Sequence, residues 1–491
     1  MTKILFIDAV KHWDEGREFE ALMDNPGLLY ICGFLRQEFD EGSIEIKVIY
    51  KDVENVLNDF KPDVVAMTSV TQNFEIAKEY AKLAKNAGCA VIMGGPHISA
   101  IPEVLSEFMD IGVIGEGEET MVELMNLYVI NYDLKDVSAL NEIKGIIYRS
   151  NGETIQTETR PQIRPLEKIP FPARDLAYIN RGLGMFTSRG CPYKCSFCFI
   201  HNHWKTVRFF PPEYVVREMK HLVEKYDAKH ITIFDDLFVQ NKARLRRIVA
   251  LMKQEKIPDY LTFNCNIRTD HVSDETASLL KQMGMRDVFI GAESGNVASL
   301  TYLKGGKNEK RNVTVDKNSQ AIQILQKHGI RVMAGIIIGS PQETEEEILE
   351  TYEWIKASKL NKFFVFVLTP LPGTAVWKLA LEKGLVSNDM DWDKLRMEFG
   401  EVPEKAIVLS EVVSRDRLYE LFQLIVKEKK KRDFLDYRRV VMRTIVDVIK
   451  DPVFFSKKWL GIIARGDIYK ITGFFSRNLK RSYSMFMEQY R

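Results

Sequence analysis

Short apolar runs alternate with amphipathic stretches along the first 135 or so residues. Lys3–Ala9, Ile44–Tyr50, Asp63–Ser69, Cys89–Gly95 and Ile111–Glu118 read as strands. Pro26–Glu38, Val53–Phe60, Phe74–Ala87, Pro102–Phe108 and Glu119–Tyr132 carry apolar residues at helical spacing. Buried strands that alternate with helices predict a doubly wound parallel sheet. Ligands of such sheets sit beyond the carboxyl ends of the strands. Those ends are Thr68-Ser69-Val70-Thr71-Gln72, Gly94-Gly95-Pro96-His97 and Gly115-Glu116-Gly117-Glu118. The stretch Gly145–Thr157 then reads as a hairpin around an Asn-Gly turn. A linker with Pro161, Pro165, Pro170 and Pro172 follows.

A second series begins after the linker. Its strands are Met185–Ser188, His230–Phe234, Thr262–Ile267, Asp287–Ala292, Arg331–Ile338 and Phe363–Leu368. Helices are expected at Pro212–Tyr226, Lys242–Glu255, Asp274–Met283, Lys317–His328 and Thr344–Ser358. Six strands, all but the last followed by one of these helices, predict a partial β/α barrel. The expected organisation is a doubly wound domain at 1–140, hairpin and linker at 141–180, barrel at 181–380 and a mostly helical region at 381–491.

Composition changes this picture in two places. The chain of 491 residues has a net charge of +1, so total charge selects no class of partner. From Lys427 to Arg491, however, 17 Lys and Arg stand against 7 Asp and Glu. This stretch mixes Phe454, Phe455, Trp459, Leu460, Ile462 and Ile463 with Lys457, Lys458 and Arg465. It reads either as a segment for a membrane surface or as a helical cap with solvated lysines. No nucleic-acid recognition motif accompanies it. Six cysteines are too few for a disulfide framework in a chain of this length. No apolar run reaches the roughly 18 residues of a spanning helix, and a cytoplasmic setting is expected.

Three of those cysteines, Cys191, Cys195 and Cys198, fall within eight residues. The spacing C-x3-C-x2-C directs three thiolates at one [4Fe–4S] cluster and leaves its fourth iron open. Structural zinc takes four ligands, and His201 and His203 make a Cys3His zinc site the rival. Cys265 lies mid-strand and reads as a core thiol.

The motif, with Phe197 before its last cysteine and at the end of the first barrel strand, resembles the radical S-adenosylmethionine (SAM) superfamily. The resemblance covers roughly Met185 to Trp377. It implies that the open iron chelates SAM and that the reduced cluster cleaves SAM to a 5′-deoxyadenosyl radical. It assigns Asp235 and Asp236, after the second strand, to the SAM amino group. Arg268 is expected to pair with the carboxylate of SAM or of a substrate. Glu293 and Ser294 are assigned to the ribose and carboxylate, and Gly335 and Gly339 to the strand beside the adenine. The turn Thr369–Thr374 fits the same branch.

The order of sheet domain, linker and cluster domain resembles the cobalamin-binding branch of that superfamily. By that resemblance the turns at Thr68–Gln72, Gly94–Pro96 and Gly115–Gly117 hold cobalamin. A D-x-H-x-x-G motif is missing at His12 and His97, so no histidine ligand to cobalt is expected. The branch implies C-methylation of an unactivated carbon. One SAM would charge cobalamin with a methyl group, and a second would make the radical. The alternatives are a radical cyclase or C–C coupling enzyme acting on a lipid or tetrapyrrole-like substrate, and a cobalamin or iron–sulfur sensor. An electron donor of the flavodoxin or ferredoxin type is implied.

Overall fold

The computed structural model describes residues 1–10, 25–177, 183–305, 314–399 and 406–450, with side chains to 436. His12 and the basic tail beyond Lys450 lie outside these residues.

The first sheet contains β1 (Thr2–Asp8), β2 (Ile44–Ile49), β3 (Val64–Thr68), β4 (Ala90–Gly94), β5 (Ile111–Val113), β6 (Ile146–Ser150) and β7 (Glu153–Gln156). Their order is β2-β1-β3-β4-β5-β6-β7. The first five are parallel, and β6 and β7 pair antiparallel. The hairpin therefore extends the first sheet and is not part of a separate linker. Ile4 and Phe6 pack to one side of the sheet, beneath the helices Pro26–Glu38 and Glu118–Asn131. Leu5 and Ile7 point the other way, as the period of two in a strand requires. Their side packs with the helix Phe74–Asn86 and also with Leu303, Trp377 and Trp392 of the second half. The two halves thus share one apolar layer.

One expected element is displaced. The helix anticipated at Pro102–Phe108 is a five-residue helix at Pro96–Ala100, followed by a single 3-10 turn at Pro102–Val104. Pro96 is preset for a first helical position. Gly95 before it has φ +95°, and a Cβ there would meet the Ser69 backbone at 3.0 Å.

The second half begins with β8 (Leu183–Met185), β9 (Ser188–Arg189) and β10 (Arg208–Phe209). It continues with β11 (His230–Ile233), β12 (Thr262–Ile267), β13 (Met285–Glu293), β14 (Arg331–Ile338) and β15 (Lys362–Val367). The six-stranded sheet runs β15-β14-β13-β12-β11-β8, all parallel. Strand order follows chain order, as in a partial β/α barrel. The helices Pro212–Tyr226 and Asp274–Met283 form where apolar periodicity places them. A 36-residue helix, Arg415–Lys450, lies along β15. Among the described residues no helix is long and apolar enough to cross a membrane.

Charge also joins the halves. Glu116, after β5, accepts Arg189 of β9 and, at 2.8 Å, Arg208 of β10. It accepts the linker amide of Ile163 at 2.8 Å. Glu118 takes the second arm of Arg189. All four charged side chains are buried. Burial opposes ionisation of Glu116, but Arg189 and Arg208 outweigh it and hold the carboxyl below its usual value. A buried pair is weak evidence of net stability, yet removing one partner strands a charge.

Glu116→Gln should therefore lower stability by about 3–5 kcal/mol at neutral pH, read by chemical denaturation. A lowered carboxyl contributes its stability above the unfolded pKa and loses it as pH falls through the folded one. The two proteins should converge in stability below the ordinary carboxylate range. A constant difference across pH would contradict this account.

Candidate functional site

A cavity of about 430 Å³ lies on the carboxyl edge of the first sheet, where the strand order reverses between β1 and β3. Thr68, Ser69, Val70, Gly94, Gly95, Pro96, Gly115, Glu116 and Gly117 all line it. Thr71 and Gln72 do not. The Thr71 hydroxyl turns inward and bonds His97 Nδ1 at 3.1 Å. The His97 ring packs between Phe74 and Trp392, at 4.0 and 4.6 Å. Burial pushes its pKa down to about 3, so it stays neutral. His97 is not among the residues lining the cavity.

The cavity rests on an apolar floor of Phe6, Leu28, Ile31, Met67, Ile92 and Val113. Asp8, Asn25 and Asn73 add polar groups to its wall, beside Thr68, Ser69, Glu116 and Glu118. Burial pushes the Asp8 carboxyl up to about 6, against a hydrogen bond from Asn25. A Cβ on Gly115 would meet nothing within 4 Å. An apolar floor, a rim of glycines and a few polar groups fit a flat macrocycle fringed with amides, which is the chemistry of a corrin.

The second half closes this cavity with Phe186, Arg189, His203 and Trp204. Trp204 lies 5.5 Å from the Arg189 guanidinium and 5.4 Å from that of Arg208. Burial, helped by the two arginines, pushes the His203 pKa down to about 4. Sequence reasoning placed none of the four at this cavity, and considered His203 only as a rival zinc ligand. Arg189 had a readable signal, an arginine two positions before the first clustered cysteine.

The cysteine loop joins Arg189 to His203. Gly190, at φ +97°, starts it, and a Cβ there would meet the Thr206 carbonyl oxygen at 2.8 Å. Ser196 is pinned by its amide to the Leu303 carbonyl (3.0 Å) and by its carbonyl to the Val376 amide (3.2 Å). Asn202 donates to Gly373 O at 2.6 Å. Phe197 packs into the apolar layer that both halves share. Burial pushes the Cys191 thiol up to about 11 and the Cys198 thiol up to about 12. Metal binding takes the thiolate and displaces the proton. Among the described residues, no three His, Cys, Asp or Glu side chains converge on a single ion. A cubane asks for less, since each thiolate takes a different iron. The donor set of three thiols without a fourth ligand fits a cluster with one open iron.

Other expected contacts are spoken for within the protein. Asp235 is fully buried and accepts four hydrogen bonds from Thr187 and Ser188. It braces the chain ahead of the cysteine loop and is closed to a ligand. Asp236 accepts the Gly190 amide at 3.2 Å. Burial and Asp235 push its carboxyl up to about 7. Ser294 bonds Thr351 Oγ1 at 2.9 Å and accepts the Asn296 amide at 3.0 Å. Glu293 sits at φ +59°, in a register shift of β13, and pairs with Lys304 at 2.9 Å. The space over Gly335 is filled by the Phe289 ring, 3.1 Å from where its Cβ would be. Gly339 makes room for Leu418, at 2.9 Å. Packing within the protein accounts for both glycines.

Comparison with known proteins agrees with this geometry. Residues 185–355 match the radical SAM superfamily, and residues 16–125 match a B12 binding domain. An uncharacterised methyltransferase of Pyrococcus horikoshii is 31% identical over 75% of this chain and 80% of its own length. An anaerobic magnesium-protoporphyrin IX monomethyl ester cyclase of Cereibacter sphaeroides is 26% identical over 77% of this chain. The match spans only 63% of that cyclase. The radical SAM methyltransferase TsrM of Kitasatospora setae, solved with cobalamin and a [4Fe–4S] cluster, superposes with a TM-score of 0.68. It is 17% identical and covers 87% of this chain and 91% of its own, which establishes the shared fold. With the sheet-edge cavity set against a three-cysteine loop, the chain belongs to the radical SAM superfamily, in the branch that carries an N-terminal B12-binding domain.

Proposed function

We propose that this protein is a cobalamin-dependent radical SAM methyltransferase that acts on an unactivated carbon of a small molecule. One observation carries the reading. The cavity at the B12-type sheet edge is closed by Arg189, His203 and Trp204, which flank the cysteine loop on both sides. The two cofactor sites therefore face each other across a few residues. When bound, the cluster supplies reductive cleavage of SAM, and cobalamin supplies a transferable methyl group.

The chain's own residues position and enclose. Cys191, Cys195 and Cys198 would hold the cluster. Asp236 presents a carboxyl beside that loop, suited to a cationic amino group. Gly115, where a Cβ would meet nothing within 4 Å, leaves the backbone open to close approach by a corrin. Trp204 and Phe186 keep water from the space between the sites, and His203, neutral at working pH, adds no charge there. An external one-electron donor of the flavodoxin or ferredoxin class completes the system.

A second reading is ring closure without methyl transfer. The similarity to a tetrapyrrole cyclase over 77% of this chain favours it. Both readings use the same cluster. They differ in the fate of the SAM methyl group.

Anaerobically reconstituted protein should bind about four irons per chain and form 5′-deoxyadenosine from SAM on reduction. Cys191→Ala, Cys195→Ala and Cys198→Ala should each abolish that product, and Cys265→Ala should keep it. Tight zinc in place of iron would refute the cluster. Val70→Trp fills the cavity from an exposed position. It should weaken hydroxocobalamin binding at least about tenfold, which is 1.4 kcal/mol, with iron content unchanged. With methyl-labelled SAM and reductant, label should enter the bound corrinoid and S-adenosylhomocysteine should be released. An intact cluster and bound corrinoid that never take the label would favour the cyclase.

A further inference from the structure

Arg268 follows β12, where the family resemblance expects a partner for a carboxylate of SAM or substrate. Its guanidinium is engaged elsewhere. Nε and Nη2 donate to the two oxygens of Asp270, at 3.1 and 3.2 Å. Nη1 donates to Cys195 Sγ at 3.9 Å. The group stacks over the Tyr193 ring, 3.3 Å from its centroid. Tyr193 belongs to the cysteine loop itself, between Cys191 and Cys195, and its hydroxyl shares a 2.6 Å hydrogen bond with His271 Nε2. Arg268 is 8% exposed. A cation held by a carboxylate, a ring and a cluster cysteine is aimed at the cluster.

We propose that Arg268 is a positioning residue that sets the reduction potential of the cluster, with Asp270 as its counterweight. The inference rests on the reading of the three cysteines as cluster ligands. Hydrogen bonds to the sulfurs and local charge are main determinants of cluster potential. Reduction moves one electron from the external donor to the cluster. No bond forms or breaks, the donor is oxidised by one electron, and the cluster gains one negative charge. An N–H directed at Cys195 and a buried positive charge both stabilise the reduced form more than the oxidised one. Asp270 opposes this from the far side of the guanidinium. The arrangement makes a sign prediction that simple loosening of the loop does not share. Removing the cation should make the cluster harder to reduce, and neutralising the carboxylate should make it easier.

The test compares wild type, Arg268→Gln, Arg268→Lys and Asp270→Asn after anaerobic reconstitution with iron and sulfide, without SAM. Iron is assayed, and the midpoint of the cluster is read by EPR during a mediated redox titration. Arg268→Gln should shift the midpoint to more negative potential, Arg268→Lys should fall between it and wild type, and Asp270→Asn should shift it to more positive potential. An unchanged midpoint in Arg268→Gln with full iron content would overturn the proposal, as would shifts of the same sign in Arg268→Gln and Asp270→Asn. If Arg268→Gln fails to hold iron, Asp270→Asn decides, and a midpoint that is unmoved or lowered overturns it. Wild-type protein that takes up zinc instead of iron fails the cluster reading itself, before any comparison of variants.

Discussion

The carboxylate of Glu116, held between Arg189 and Arg208, is the contact on which the site depends. Glu116 belongs to the rim of the first cavity, and Arg189 lies two residues before the first cysteine of the second site. The Glu116–Arg189 pair therefore sets the register between the sheet-edge cavity and the cysteine loop. Both partners are out of water, so neither tolerates loss of the other. Trp204 stacks near both arginines and also lines the cavity. Rigid junctions of this kind suit a reaction in which a radical must meet one partner and no other.

Much of the fold was legible. Fully buried parallel strands are near-continuous apolar runs, and the helices between them carry clear periodicity. Thr262–Ile267, Pro212–Tyr226 and Asp274–Met283 fall where the pattern places them. The helix expected at Pro102–Phe108 failed because local turn chemistry won. Gly95-Pro96 starts a helix at once, and the apolar residues that follow pack as an irregular segment. The hairpin was visible from its Asn-Gly turn, but its membership of the first sheet depends on long-range pairing of Ile111 with Tyr148, which local pattern does not carry.

The candidate site divides in the same way. The glycine turns line the sheet-edge cavity, and the three cysteines share one loop beside it, both where their motifs place them. Asp235, Ser294 and Gly339 sit at strand ends where ligands gather, and Gly335 lies within β14, yet each is committed to Thr187 and Ser188, Thr351, Leu418 or Phe289. Position alone does not separate a ligand contact from a brace. Of the residues that face the cavity from the second half, Phe186, His203 and Trp204 carry no motif. They line the cavity only because the fold brings the sheet edge to them.

The central claim is that the corrin and the cluster occupy facing sites joined by Arg189. The most direct measurement is EPR of anaerobic protein carrying both cob(II)alamin and the reduced cluster. The account predicts magnetic interaction between the two spins, broadening or splitting signals that are sharp when either centre is present alone. Two full-intensity, unperturbed spectra that simply add would place the centres far apart and contradict it.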